Sequence, residues 1–236
     1  MPGFIRLQIS LLVVSLVIPT VSWALALAGA ADPLLLSNIA LPSVLGCWIA
    51  ALATPFVFGG AATFEMRATG FILAWAAIAI TFPLIWDLPW AILHDWVYGA
   101  TAEDRWKWFF WAYAVADTRF LQSDQIMIIV EYWSGVIAVI EILFLVWFLR
   151  NPLIQAMRIF ALAGSLAFYG CSVFFASELM NGLANIRPDT VSYIKFFGMN
   201  GMWIVFPAIS YLMMRRLLQS PDYDARATAL QLFGRG

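Results

Sequence analysis

Charge is what this chain has least of. Lys, Arg, Asp and Glu supply only 11% of its 236 residues, less than half the roughly 25% usual in a soluble domain, and this excludes an ordinary water-soluble fold. The formal net charge of −1 offers no electrostatic footprint for nucleic acid or any strongly charged partner. Cysteine is nearly absent too: Cys47 and Cys171 both fall inside apolar segments, so neither a disulfide framework nor a zinc site is expected. There is one histidine, His94. No internal repeat, phosphate-binding glycine motif or low-complexity segment divides the chain, which reads as one membrane domain with no cofactor and no metal. Hydrophobic residues are abundant, at 63% with a mean hydropathy of +0.86. Aromatics reach 16%, more than interfacial belts require, so some rings are expected to line a cavity.

Six stretches reach the roughly 20 apolar residues that cross a bilayer: Leu7 to Ala28, Leu41 to Thr63, Gly70 to Tyr98, Ile126 to Phe148, Leu153 to Leu179 and Tyr193 to Met214. The first has the look of a signal peptide, with Arg6 ahead and Ala28, Gly29 and Ala30 at its end. Its apolar core is longer than the roughly 7–15 residues of a signal, so it reads as a retained helix. Six spans place both termini on one side. Arg6, Arg67, Arg150, Arg158, Arg215, Arg216, Arg226 and Arg235 fall at one set of ends, and Arg105, Lys107, Arg119, Arg187 and Lys195 at the other. Basic residues favour the cytoplasmic side, so both termini are expected there and the long loop Gly99 to Gln125 opposite.

Ionisable groups within spans are costly and mark function. Glu131 lies five residues into an apolar run, on one helical face with Asp124 and Ile128, and Ser123 or Asp124 can cap that helix. In the third span Asp87, Trp90, His94 and Tyr98 share a face, Asp95 adjoins His94, and Pro89 is expected to kink or divide the helix. Glu141 lies on another face from Glu131 and is expected to pair with a neighbouring helix. Glu178 either reaches the outer interface or joins a pocket. Asn200 and Trp203 share a face; the amide is expected to hydrogen-bond across helices, with Gly198 and Gly201 allowing close approach. Asp87, His94, Glu131, Glu178 and Asn200 thus come from four spans in the outer half of the membrane. A neutral carboxylic acid in a dry aromatic pocket donates a proton, and an ionised neighbour stabilises a cation. The set suits protonation of an apolar alkene, and it suits binding of a lipophilic ammonium equally.

The run Tyr113-Ala-Val-Ala-Asp117-Thr-Arg119-Phe, followed by Asp124 and Glu131, resembles the motif of the emopamil-binding protein family, which shares the EXPERA membrane domain and includes the sterol Δ8-Δ7 isomerase and the sigma-2 receptor. Phe168-Tyr-Gly170 through Ser177-Glu178 resembles its fourth helix, and Met199-Asn200-Gly-Met-Trp203 with Pro207 its fifth. Together these cover about Gly70 to Met214. The resemblance implies a five-helix EXPERA-like unit over 41–217; the chain departs from it by one additional transmembrane helix in 1–30, so the expected fold is an all-α, polytopic bundle of about six helices with a short cytoplasmic tail over 218–236. The resemblance also implies that Glu131, Asn200 and Trp203 line a pocket open to the bilayer, with the acid and the tryptophan against a cationic amine or the carbocation it mimics. The isomerase's histidine and glutamate four residues apart have no counterpart, and His94 with Asp95, or Asp87 with His94, would take their role. The expected function is membrane-embedded isomerisation of a sterol or other terpenoid alkene through a carbocation. Asp87, His94, Asp95 and Glu131 would act as acids and bases, and Trp90, Tyr98, Asp124, Glu178, Asn200 and Trp203 would contact substrate. A noncatalytic lipid- or amine-binding receptor or chaperone of sigma-2 type and an acid-initiated terpenoid cyclase are the rival expectations. The partners are a hydrophobic small molecule and the bilayer, in a bacterial inner membrane or the endoplasmic reticulum, with a homodimer left open.

Overall fold

In the computed structural model, which describes residues 1–150 and 152–234, helices dominate, no strand occurs among the described residues, and six helical segments are long and apolar enough to cross a membrane. Arg235, counted above among the basic residues, lies outside the described residues. The spans are α1 (Gly3–Ala28), α2 (Pro33–Val57), α3 with α4 (Phe64–Phe82 and Leu88–Val97), α6 (Gln125–Leu149), α7 (Leu153–Met180) and α8 with α9 (Thr190–Tyr193 and Asn200–Leu217). A short α5 (Trp108–Ala114) precedes α6, and α10 (Ala225–Leu232) ends the chain. Polar residues set several starts by accepting hydrogen bonds from otherwise free helix-terminal amides. Asp32, Thr63, Asp124, Asp189 and Asp224 do this for α2, α3, α6, α8 and α10. Gly29, at φ 67°, ends α1 in the left-handed conformation that suits glycine.

Hydrocarbon tails are as apolar as leucine, so polar links and close packing decide how helices associate in a bilayer. Gln8 Nε2 donates to the Ala51 carbonyl at 2.9 Å and Trp48 Nε1 to Ser15 Oγ at 3.1 Å, joining α1 to α2. Lys195 is fully buried and donates to Ser37 Oγ (2.6 Å), Asn38 Oδ1 (2.9 Å) and the Ala112 carbonyl (3.4 Å). It ties the last span to α2 and α5 rather than standing at a membrane surface. Arg119 is buried as well, so of the five basic residues at that set of span ends Arg105, Lys107 and Arg187 reach the surface. Gly198 does allow close approach, since a Cβ there would lie 2.7 Å from Leu45 Cδ2, whereas Gly201 faces open space.

Two expectations, on the long loop and on the third span, are corrected. The long loop is folded, with α5 packed on α2 and a 3-10 turn at Thr118–Leu121. The short tail is packed on the bundle: Leu232 of α10 buries against Phe4 and Ile5, and the Tyr223 hydroxyl meets Thr69 Oγ1 at 2.7 Å. The break in the third span falls earlier than Pro89, as a π-helical turn at Pro83–Asp87. Pro83 has no N–H for the α-helical ladder, and a wider turn relieves the clash that Pro89 would otherwise make with the carbonyl four residues back. A second π segment, Ile194–Met199, precedes Asn200.

Candidate functional site: a paired-carboxyl cavity

Both π segments deliver a polar side chain inward, Asp87 from the first and Asn200 just after the second. Such widened turns recur at functional sites, because they re-aim one residue without ending the helix. A narrow cavity of about 50 Å³ lies between them, lined by Asp87, Glu131, Ser134, Asn200 and Cys171 and by the rings of Phe82, Trp86, Tyr113, Phe120, Phe174 and Trp203. Asp87 and Glu131 are both buried. The Asp87 carboxyl lies near the Ser134 hydroxyl and the Glu131 carboxyl. A carboxylate has no proton to donate, so a hydrogen bond between two carboxyls needs one of them protonated. Two carboxyls that share one proton hold a donor and an acceptor side by side.

Gly135, beside Ser134, lets α4 approach α6. A Cβ there would meet Leu88 Cδ1, Cδ2 and Cβ at 3.1–3.3 Å. Leu88 directly follows Asp87, so Gly135→Ala should push the acid pair apart. Expected is a loss of about 1–3 kcal/mol, the usual cost of overpacking, measured by thermal unfolding in detergent. An unchanged melting temperature would refute this account of the contact.

The roof comes from the long loop between α4 and α6. Tyr113 of α5 and Phe120 of the 3-10 turn pack edge-on at 5.2 Å, and each also packs on Trp86, at 5.3 and 5.4 Å. Asn200 Nδ2 donates to the Tyr113 hydroxyl and to the Phe196 carbonyl, both at 2.7 Å, the cross-helix bonding expected of that amide. Burial first, and the Asp117 carboxylate second, push the Tyr113 phenol well above its usual range. It stays neutral, accepting from Asn200 and keeping its own O–H to donate. Behind Phe120, Arg119 donates through Nε and Nη2 to both Asp117 oxygens (2.9 and 2.6 Å) and through Nη1 to Ser177 Oγ (2.8 Å), and its Nε lies 3.4 Å from Glu178 Oε2. Asn185 donates from its backbone and side-chain nitrogens to Glu178 at 2.8 and 2.9 Å. Glu178 thus neither reaches the interface nor enters the cavity; it anchors the roof.

Of the residues singled out from sequence, Asp87, Glu131, Asn200 and Trp203 come together. Trp90 is fully buried against Phe120 at 4.6 Å, one layer behind the cavity wall. His94 Nδ1 lies 3.2 Å from the exposed Asp95 carboxylate, a proximity without hydrogen-bond geometry, and neither residue lines the cavity. Tyr98 leaves the helix at ψ 130° and is exposed, so it shares no face with Asp87. Asp124 is the cap of α6, accepting from Ile126 and Met127. Glu141 is buried with Oε2 unpaired among the described residues, not bonded across to another helix. Ser134, Gly135 and Lys195 escaped sequence reasoning. Ser134 stands three residues after Glu131, a helical neighbour that the sequence could have flagged.

No protein-family model, curated protein or solved structure matches this chain.

Proposed function

We propose that this chain is a membrane-embedded isomerase that shifts a carbon–carbon double bond in a sterol or other terpenoid alkene, and that it belongs with the emopamil-binding, EXPERA-type proteins its motifs resemble. The observation that carries the reading is the Asp87–Glu131 pair in an aromatic cavity inside the bilayer. The protonated carboxyl gives its proton to one alkene carbon; that C–H bond forms as the O–H bond breaks and the π pair is spent, leaving a carbocation. The neighbouring carboxylate and the faces of Trp86 and Trp203 stabilise the positive charge. The carboxylate then removes a proton from the next carbon, whose C–H pair becomes the new double bond. One proton enters and one leaves, and the hydrogen bond between the acids resets the pair.

Deuterium incorporation tests this. Purified protein in D2O with a Δ8-sterol, or with a linear terpenoid alkene, is expected to return product with a moved double bond and one new deuterium, read by mass spectrometry. Folded protein that labels neither class overturns the isomerase reading. The same acids and rings also suit a lipophilic ammonium, so tight binding of a tertiary amine without any labelling would move the function to a noncatalytic receptor or chaperone. Labelled ring-closed product would instead indicate an acid-initiated cyclase. The same reading puts the protein in a bacterial inner membrane or the endoplasmic reticulum with both termini cytoplasmic, as the excess of arginine at that end supports.

A further inference from the structure

The acid cavity has room for a double bond and little more: about 50 Å³ is the space of three to five waters, at roughly 10–15 Å³ each. A terpenoid that reacts there must place the rest of its carbon skeleton beyond the walls. One wall is shared with a second, larger cavity of about 220 Å³ between α1, α2, α3 and α5. Phe82 and Trp86 line both, their rings stacked 5.9 Å apart with planes 9° from parallel.

Most polar groups of the larger chamber are already used. Ser15 Oγ donates to the Leu12 carbonyl and accepts from Trp48, Thr20 Oγ1 donates to the Leu16 carbonyl, and the indole N–H groups of Trp86 and Trp108 donate to the Phe109 and Pro33 carbonyls. What they leave is a hydrocarbon surface broken by the Thr81 hydroxyl, too little polarity to hold a headgroup. Leu16, Thr20 and Ile85 at its rim are exposed, and at this depth in the span their surroundings are lipid.

Phe82 distinguishes the wall from a fixed barrier. It packs edge-on to Trp48 of the chamber at 5.1 Å and lies 6.3 Å from Trp203 of the acid cavity. It is the last residue of α3 before the π turn, and a phenyl ring has no hydrogen bond to hold it. Trp86 is pinned to Phe109. Of the two rings, Phe82 is the one without a hydrogen bond to hold it.

We propose that this second chamber receives the hydrocarbon tail of the same molecule whose double bond reaches Asp87 and Glu131, with Phe82 as the partition between them. The proposal rests on the alkene reading, and it gives α1 a role in binding, since that helix supplies one wall of the tail site.

The test uses full-length protein in phosphatidylcholine nanodiscs and a farnesyl hydrocarbon carrying a tail-end diazirine, with crosslinks mapped by peptide mass spectrometry. Label is expected on Leu12 to Thr20 and on Ala77 to Ile85, in native protein and Glu131→Gln alike. Ala77→Trp and Thr20→Trp, which fill the chamber from two sides, should each reduce it by about tenfold, a difference equal to about 1.4 kcal/mol of binding. Two variants guard against misfolding of one, and helical circular dichroism shows whether each remains folded. Label spread evenly over all lipid-facing helices means bilayer occupancy only and overturns the proposal, as does label confined to the acid cavity. Chamber labelling in a protein that exchanges no deuterium leaves the tail site standing and removes the isomerase reading, so the two failures are distinguishable.

Discussion

Glu131→Gln is expected to abolish deuterium transfer to the alkene, by about 100- to 10,000-fold in turnover, the range that a positioned acid or base supplies. The amide is isosteric and its Nε2 can still donate to Asp87, so the fold should survive with a small change in melting temperature. What disappears is the ability to exchange a proton. Asp87→Asn should fall as far, and the double variant should fall no further than either, because two groups that share one proton act as a unit. The informative contrast is His94→Ala. Its ring stands beside the exposed Asp95 and away from the cavity, so turnover should change by no more than a few-fold. If His94→Ala is as inactive as Glu131→Gln, the proton path runs through the histidine and the paired-carboxyl account is wrong. If the native protein transfers no deuterium while Glu131→Gln alone loses amine binding, the site is a receptor's.

These residues also show how far the sequence could be read. Six spans are visible because twenty apolar residues cross a bilayer whatever their neighbours, and the observed spans overlap every stretch read from hydropathy. Glu131 and Asn200 are legible because a polar group within such a span has few explanations. Asp87 was legible as a buried acid, but its partner was not. Asp87 and His94 are seven residues, about 10 Å, apart along a regular helical stretch, and a helix's own periodicity does not say which neighbouring helix faces its acid. Gly135 was missed for a related reason: a single glycine in an apolar run matters only when the helix that approaches it is known. The roof was missed because a 27-residue polar-aromatic loop carries no period at all.

Arg119→Met is expected to be the most destabilising single change. The guanidinium is buried with Asp117 and Glu178, both almost wholly inaccessible, and removing it leaves two carboxylates without a counter-ion in a low-dielectric interior. Breaking one partner of a buried pair typically costs about 3–5 kcal/mol, and here one cation serves two acids. Glu178→Gln should cost much less, since the amide keeps an acceptor for the Asn185 N–H while the remaining Asp117–Arg119 pair is charge-balanced. The order of the two variants is the prediction, read from thermal unfolding in detergent. Equal losses would mean that Arg119 acts through packing, its guanidinium lying 4.7 Å from the Phe174 ring, and not through charge. Function should follow stability at this site for a mechanical reason. Arg119 adjoins Phe120, and Phe120 together with Tyr113 closes the cavity over Asp87 and Glu131. A roof that loosens admits water, and under the proposed isomerase reading water would compete for the proton and for the cation that the aromatic walls shield.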